Sequence, residues 1–372
     1  MAVVVNSPPA NVSQNQVVRL ESIITEIKQM ILNGADSKQI IDKITKYCMD
    51  NYSDRTTRRA MFRNLVNSTN SLIYQYKYNE KVIDQTFLLE VIRNYKIGTG
   101  LTATSSTFTI DLTAIYREYV DKKITLRNTV EQFRGYITNT KLGDVLIKDY
   151  NQKITKQVKL IADTPFKYTD TNGRKISIRN KVEMATRYQA NQKDIKMLKD
   201  NGVKLVWTSS HANASPRCAP YQGKLYSLDG TSGTIDGIKY TPLDDVLKLN
   251  GGNSIINGYN CRHYLIEYEK GSKAPRHFTE QEMEKEYAID IKQRNLENRI
   301  RQLKIEEACY LAKAENEENE QAKEQFLKKA KVANDLWQNL YIEYDNLSRQ
   351  NNRATFRWRT EISTEEVAYE MR

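Results

Sequence analysis

Asn201-Gly202-Val203-Lys204-Leu205-Val206-Trp207-Thr208-Ser209-Ser210-His211 marks the point at which a helical rhythm stops and a strand begins. Upstream, Val182, Ala185, Tyr188, Ile195 and Leu198 recur at helical spacing over residues 177–201, and Asn201-Gly202 supplies the left-handed residue that commonly ends a helix. Residues 203–207 then read as an alternating or buried strand that runs into a loop carrying His211, Arg217 and Cys218. Asn260-Cys261-Arg262-His263 closes the cassette, so two of the four cysteines and two of the three histidines fall within about one seventh of the 372 residues. Helix, strand, His/Cys loop, glycine-rich segment and Cys/His strand, in that order, predict a small central α+β unit.

Outward from this unit the chain reads as helical. Leu20, Ile23, Ile24, Ile27 and Ile31 share one face, with Asn33-Gly34 as the stop, and Ser37 is placed to cap a second helix through Ile40, Ile41, Ile44 and Tyr47. Helices are expected over residues 56–78 and 81–95, and again from 112 to about 161 with breaks at Gly135 or Gly143. Asn172-Gly173 marks a short turn or hairpin within residues 165–175. Beyond Pro275, residues 279–346 contain no Gly or Pro, and Phe326, Ala330, Ala333, Trp337, Leu340, Tyr344 and Leu347 form a heptad seam. The polar stretch 314–321 either turns the chain between two antiparallel helices or lies on the exposed face of one long helix. The expected class is mainly α with a small central α+β unit, a helical N-terminal region and long C-terminal helices or a helical hairpin. Its segments are a flexible arm (1–15), a helical domain (16–164), the cassette domain (165–275), the long helices (276–350) and a tail (351–372).

Composition narrows the class further. Hydrophobic residues at 39% and charged residues at 28% are those of a folded chain rather than a disordered one. No stretch approaches the roughly 18–20 apolar residues of a membrane helix, and the start lacks the basic region and full apolar core of a signal peptide. Cytoplasmic synthesis is therefore expected, with cysteines 48, 218, 261 and 309 as reduced thiols. Residues 1–210 carry 33 Lys/Arg against 20 Asp/Glu and residues 211–372 carry 24 against 26, so the net charge of +11 resides in the first half. That half either faces nucleic acid or an acidic protein, or is a solvated lysine-rich helical surface.

His211, Cys218, Cys261 and His263 form the chemically distinctive set. Two thiolates and two imidazoles suit one structural Zn²⁺ in a closed tetrahedral site, and Cys261 and His263, two residues apart, would share one face of a strand. The same four residues also fit a metal-free hydrogen-bonded cluster, or a cysteine nucleophile paired with a histidine base. Gly223, Gly230, Gly233, Gly237, Gly251, Gly252 and Gly258 surround them, reading as tight turns and short strands. No phosphate-binding glycine motif is present, and nothing in the sequence supplies an oxyanion hole or a substrate pocket.

Trp207-Thr-Ser-Ser-His211, Pro216-Arg-Cys-Ala-Pro-Tyr-Gln-Gly-Lys224 and Gly258-Tyr-Asn-Cys-Arg-His263 together resemble the signature of the phage minor capsid protein 2 family. That family is similar to the Mu-type head-morphogenesis proteins, which share the Asn-Cys-Arg closing motif. Glu183, Thr186, Arg187 and Asn191 on the preceding helix, and Arg294-Asn-Leu-Glu-Asn-Arg-Ile-Arg301 downstream, extend the resemblance over residues 176–353. It implies a low-copy head protein of the virion, assembled in the host cytoplasm and associated with the portal vertex or the capsid interior. It implies roles in head morphogenesis and DNA packaging or delivery, with no established catalysis. Its partners would be portal protein and other head proteins, with packaged DNA against the basic half and the C-terminal helices pairing within the chain or between copies. Carried over by position, the structural signature is Arg217, Gln222, Gly223, Asn260 and Arg262 beside His211, Cys218, Cys261 and His263.

Two other function classes compete. An enzyme would be metal- or cysteine-dependent at the cassette, or similar to phage ADP-ribosyltransferases through Thr104-Ser-Ser-Thr107 and Glu315-Asn-Glu317. A cellular DNA-binding protein with a zinc-stabilised module would need a recognition helix bearing clustered Arg and Asn beside the cassette, and none is apparent.

Overall fold

Local signals in the sequence account for most of the elements in the computed structural model, which describes residues 10–97, 107–170, 172–248, 258 and 261–363. Six helices precede the cassette: α1 (Ala10–Leu32), α2 (Ser37–Asn51), α3 (Arg55–Tyr95), α4 (Thr107–Val120), α5 (Leu126–Ile137) and α6 (Lys141–Asp163). Helix α1 begins inside the stretch read as an arm. The N-cap of α2 is Asp36 rather than Ser37, because Asp36 accepts the Gln39 N–H while the Gln39 side chain accepts the Asp36 N–H, a reciprocal pair that Ser37 cannot form.

Two helices expected over residues 56–78 and 81–95 are one helix of 41 residues, since nothing between them breaks the backbone ladder. The breaks after residue 112 fall not at the glycines but where Thr125 and Thr140 accept the N–H groups of Asn128 and Gly143. Gly135 lies inside α5 and Gly143 in the first turn of α6.

Beyond α6, β1 (Lys167–Thr169) and β2 (Lys175–Ser177) form the expected hairpin, followed by α7 (Ile178–Asp200) and β3 (Leu205–Thr208). Strands β4 (Leu225–Ser227), β5 (Gly233–Ile235) and β6 (Ile238–Pro242), helix α8 (Leu243–Lys248) and β7 (Leu265–Glu267) complete the α+β part. The five-stranded sheet runs in the order β5-β6-β4-β3-β7, antiparallel except for the parallel β4–β6 pair. Two long helices, α9 (Glu280–Glu315) and α10 (Glu320–Gln350), finish the described fold, with a turn over residues 316–319 between them. About two thirds of the described residues are helical, so the expected class, mainly α with a small α+β unit and long C-terminal helices, holds.

These elements sort into two compact units. One comprises Thr25–Phe166 and Gln302–Asp335, the other Met1–Ile24, Lys167–Arg301 and Leu336–Arg372. In the first, α3 packs on α2, α5 and α6 around buried Ile40, Leu65, Phe87, Phe133 and Ile147. Its core also holds a polar chain in which the Tyr150 hydroxyl donates to Asp84 at 2.8 Å and Arg127 donates to Tyr150 at 2.6 Å. Arg134, 1% exposed, reaches Glu131 at 2.8 Å and Glu317 at 3.4 Å. In the second, Ile195, Leu198, Val203, Val206, Tyr226, Leu243 and Leu265 form a core between α7, α8 and the sheet. There Tyr344 of α10 donates to Glu297 of α9 at 2.8 Å and Gln293 to Ser348 at 2.8 Å.

Candidate metal and thiolate site

Strand β3 ends at Thr208 and pairs there with Leu265 of β7, which brings the 261–264 segment beside Ser209 and His211. The Ser209 N–H donates to the Tyr264 carbonyl at 2.9 Å, and the Tyr264 N–H donates to Ser209 Oγ at 3.0 Å. Pairing stops at that step. The β3 side turns, with the Ala214 N–H on the His211 carbonyl, and the Cys261 N–H closes a turn onto the Gly258 carbonyl. Cys261 and His263 therefore precede the strand instead of lying on it, as the sequence had led us to expect. They nevertheless share a side, with Cys261 Sγ 3.3 Å from His263 Nδ1.

Cys218 arrives from the other direction, at the head of a short 3-10 turn (Ala219–Tyr221), its N–H held by the Ser215 carbonyl at 2.8 Å. Ligand atoms of Cys218, Cys261 and His263 all lie within 4.8 Å of one another. Hydrogen bonding from Cys261 outweighs burial and draws the Cys218 thiol below the usual thiol range. By contrast, burial pushes Cys48 up to about 11 and Cys309 up to about 12, so those two thiols are inert core groups. None of the four cysteines is in a disulfide.

Gln222 orients the cluster. Its Oε1 accepts the His211 backbone N–H at 2.8 Å and also meets His263 Nε2 at 3.0 Å. Because a backbone N–H only donates, the amide atom facing it is the oxygen, and His263 Nε2 must carry the proton. His263 Nδ1 is left with its lone pair toward Cys261 Sγ, the form a metal ligand requires. The Gln222 amide nitrogen is taken by Met283 Sδ at 3.2 Å.

His211 stands beside this cluster. Its Nε2 is 2.7 Å from Ser209 Oγ, and its ring meets that of His263 edge-on at 4.8 Å. Burial first, then His263 and Arg262, lowers its pKa to about 4, so it is neutral at pH 7. Of the signature residues, Gly223 has φ +65°, a left-handed turn position, and a Cβ there would come within 3.7 Å of the Ser210 side chain. Arg262 lies 3.8 Å from Asp290. Arg217 is exposed, and Asn260 falls outside the described residues.

The three clustered ligands face a cavity of about 670 Å³, a feature that sequence reasoning missed. Arg179 and Arg187 from α7, Arg294 and Arg301 from α9, and Arg217, Arg262 and Arg359 line it, together with Glu183 and Glu297. The signal was a spacing of seven or eight residues, two helical turns, which places each helical pair on one face. Glu183 accepts from Arg179 and from Arg187, each at 3.1 Å. Burial alone would raise its pKa, but the two guanidinium groups hold it below the usual carboxylate range. Arg187 is itself lowered, because burial, Arg359 and Arg294 together outweigh Glu183.

Of the ADP-ribosyltransferase-like pattern, Glu317 is engaged by Arg134, and residues 104–106 lie outside the described residues.

A family model described as phage minor capsid protein 2 matches residues 24–336, most of the chain. No curated protein and no solved structure matches.

Proposed function

This chain belongs to the phage minor capsid protein 2 family, and from that premise we propose that it is a structural, non-catalytic head component at the portal vertex or capsid interior. As a phage head protein it has its place in the virion, with other head proteins as partners. The observation that carries the proposal is the family match, which spans residues of both compact units and so takes in more than the cassette. In this reading the protein acts in head morphogenesis and in packaging or delivering DNA. The excess of basic residues in the first 210 supports contact with DNA phosphates, which would be sequence-blind and strongly weakened by salt. Among the described residues no helix is long and apolar enough to cross a membrane.

Within this role Cys218, Cys261 and His263 hold one Zn²⁺ that ties the 211–222 loop to the segment entering β7. The grouping of three ligand atoms within 4.8 Å supports that assignment. His211 would buttress the cluster through its hydrogen bond with Ser209. Capture of portal protein, capsid protein or DNA by the purified full chain tests the assembly role; failure to retain any of the three would remove it. Elemental analysis tests the metal separately. One equivalent of zinc is expected, lost in Cys218→Ser and Cys261→Ser, and its absence from the wild type would sink the metal assignment while leaving the assembly role standing.

A further inference from the structure

The cavity that the Cys/His cluster lines also carries seven guanidinium groups, whose charge its two lining carboxylates do not balance. Glu183 and Glu297 line it, and both are already shared: Glu183 between Arg179 and Arg187, Glu297 between the Tyr344 hydroxyl and Arg359. Arg301 is nine-tenths buried, yet its hydrogen bonds run to neutral oxygens, the Arg359 carbonyl and the Asn298 side chain. Glu21 pairs with Arg179 and Asp290 with Arg294, but Arg301 itself is a buried ion hydrogen-bonded to neutral oxygens, an environment that an incoming anion stabilises. Burial and the neighbouring Arg179 lower the pKa of Arg301 to about 10, against the opposing pull of Glu21, Glu183 and Glu297. The planar guanidinium fork matches the oxygens of phosphate two at a time. Tyr287 and Phe356 add flat apolar surface to the same lining, and the Arg359 guanidinium lies 4.3 Å over the Phe356 ring. At about 670 Å³ the space is that of a small-molecule site.

We propose that this cavity binds a nucleotide, free or as the phosphorylated end of a nucleic-acid strand, with Arg187, Arg294 and Arg301 on its phosphate and Phe356 and Tyr287 beside its base. Calorimetric titration of the full-length protein with pyrophosphate, dAMP and a 5′-phosphorylated hexanucleotide tests this, a 5′-hydroxyl hexanucleotide serving as control. Pyrophosphate and dAMP are expected to bind, with affinity falling at least tenfold in Arg294→Gln and in Arg187→Gln and unchanged in Arg299→Gln, an exposed change outside the cavity. Tighter binding of the phosphorylated hexanucleotide than of dAMP assigns the strand end as the source; the reverse order assigns the free nucleotide. Should Arg187→Gln fail to fold by circular dichroism, the half-exposed Arg294→Gln carries the comparison. No binding of any phosphorylated probe, or equal binding in wild type and a folded Arg294→Gln, would overturn the proposal. Zinc content measured on the same samples separates this outcome from loss of the metal.

Discussion

The amide of Gln222 faces the His211 backbone N–H and the His263 ring at once, and its geometry decides which nitrogen of His263 is available. Gln222→Ala is expected to weaken zinc binding by about 10–100-fold, read by competition with a chromophoric chelator, while Gln222→Glu, which keeps an acceptor oxygen, should retain most of it. Equal affinity in the alanine variant would show that the tautomer is fixed elsewhere. His211 makes a separate prediction about pH. Its pKa falls from 6.5 to about 4 on folding, so between those values the unfolded chain binds the extra proton and stability drops as pH falls. His211→Gln should flatten the change in melting temperature over that range, and an unaltered slope would count against the assignment. The cluster was legible in the sequence because few side chains carry ligand chemistry and these were concentrated. That His211 would turn to Ser209 was not, since the choice depends on where β3 ends. Nor was the arginine wall, whose members come from α7, α9 and the 357–359 turn and meet only in the folded chain.

At the scale of elements, two glycines separate packing from propensity. Gly135, inside α5, has nothing within 4 Å of where a Cβ would stand, so Gly135→Ala should stabilise the protein by about 0.5–1 kcal/mol through a smaller backbone entropy loss. Gly143 sits where a Cβ would come within 1.9 Å of the Ile137 carbonyl oxygen, so the same substitution should cost about 1–3 kcal/mol despite the better helix former. Thermal or urea denaturation of the two variants reads both signs, and matching shifts would contradict the close approach. Helical periodicity placed α1, α2, α7 and the long C-terminal helices, because one apolar face repeats over several turns in each. It did not place the breaks around α5. Those are set by threonine side chains capping backbone N–H groups, a role that looks in sequence like any other threonine. It likewise divided α3, although tertiary burial of Tyr76, Phe87 and Leu88 sustains the helix through its polar middle.

Neither compact unit of the whole molecule is a continuous stretch of chain, which no boundary drawn along the sequence can express. The heptad seam illustrates the difficulty: Phe326, Ala330 and Ala333 are buried in one unit and Tyr344 in the other, and the pattern alone does not say which partner each position meets. Truncation after Arg301 removes residues 302–335 from one unit and 336–372 from the other. The fragment is accordingly expected to lose cooperative unfolding and soluble yield, whereas a fragment with a sharp thermal transition would show that one unit is self-sufficient. Leu20 and Ile23 enter the first-built stretch of a unit that is completed only by residues after Leu336. During translation Leu20 and Ile23 leave the ribosome more than three hundred residues before the last segment of their unit is made. That unit is therefore expected to close only late in synthesis, so chains stalled before residue 336 should stay protease-sensitive across residues 10–24.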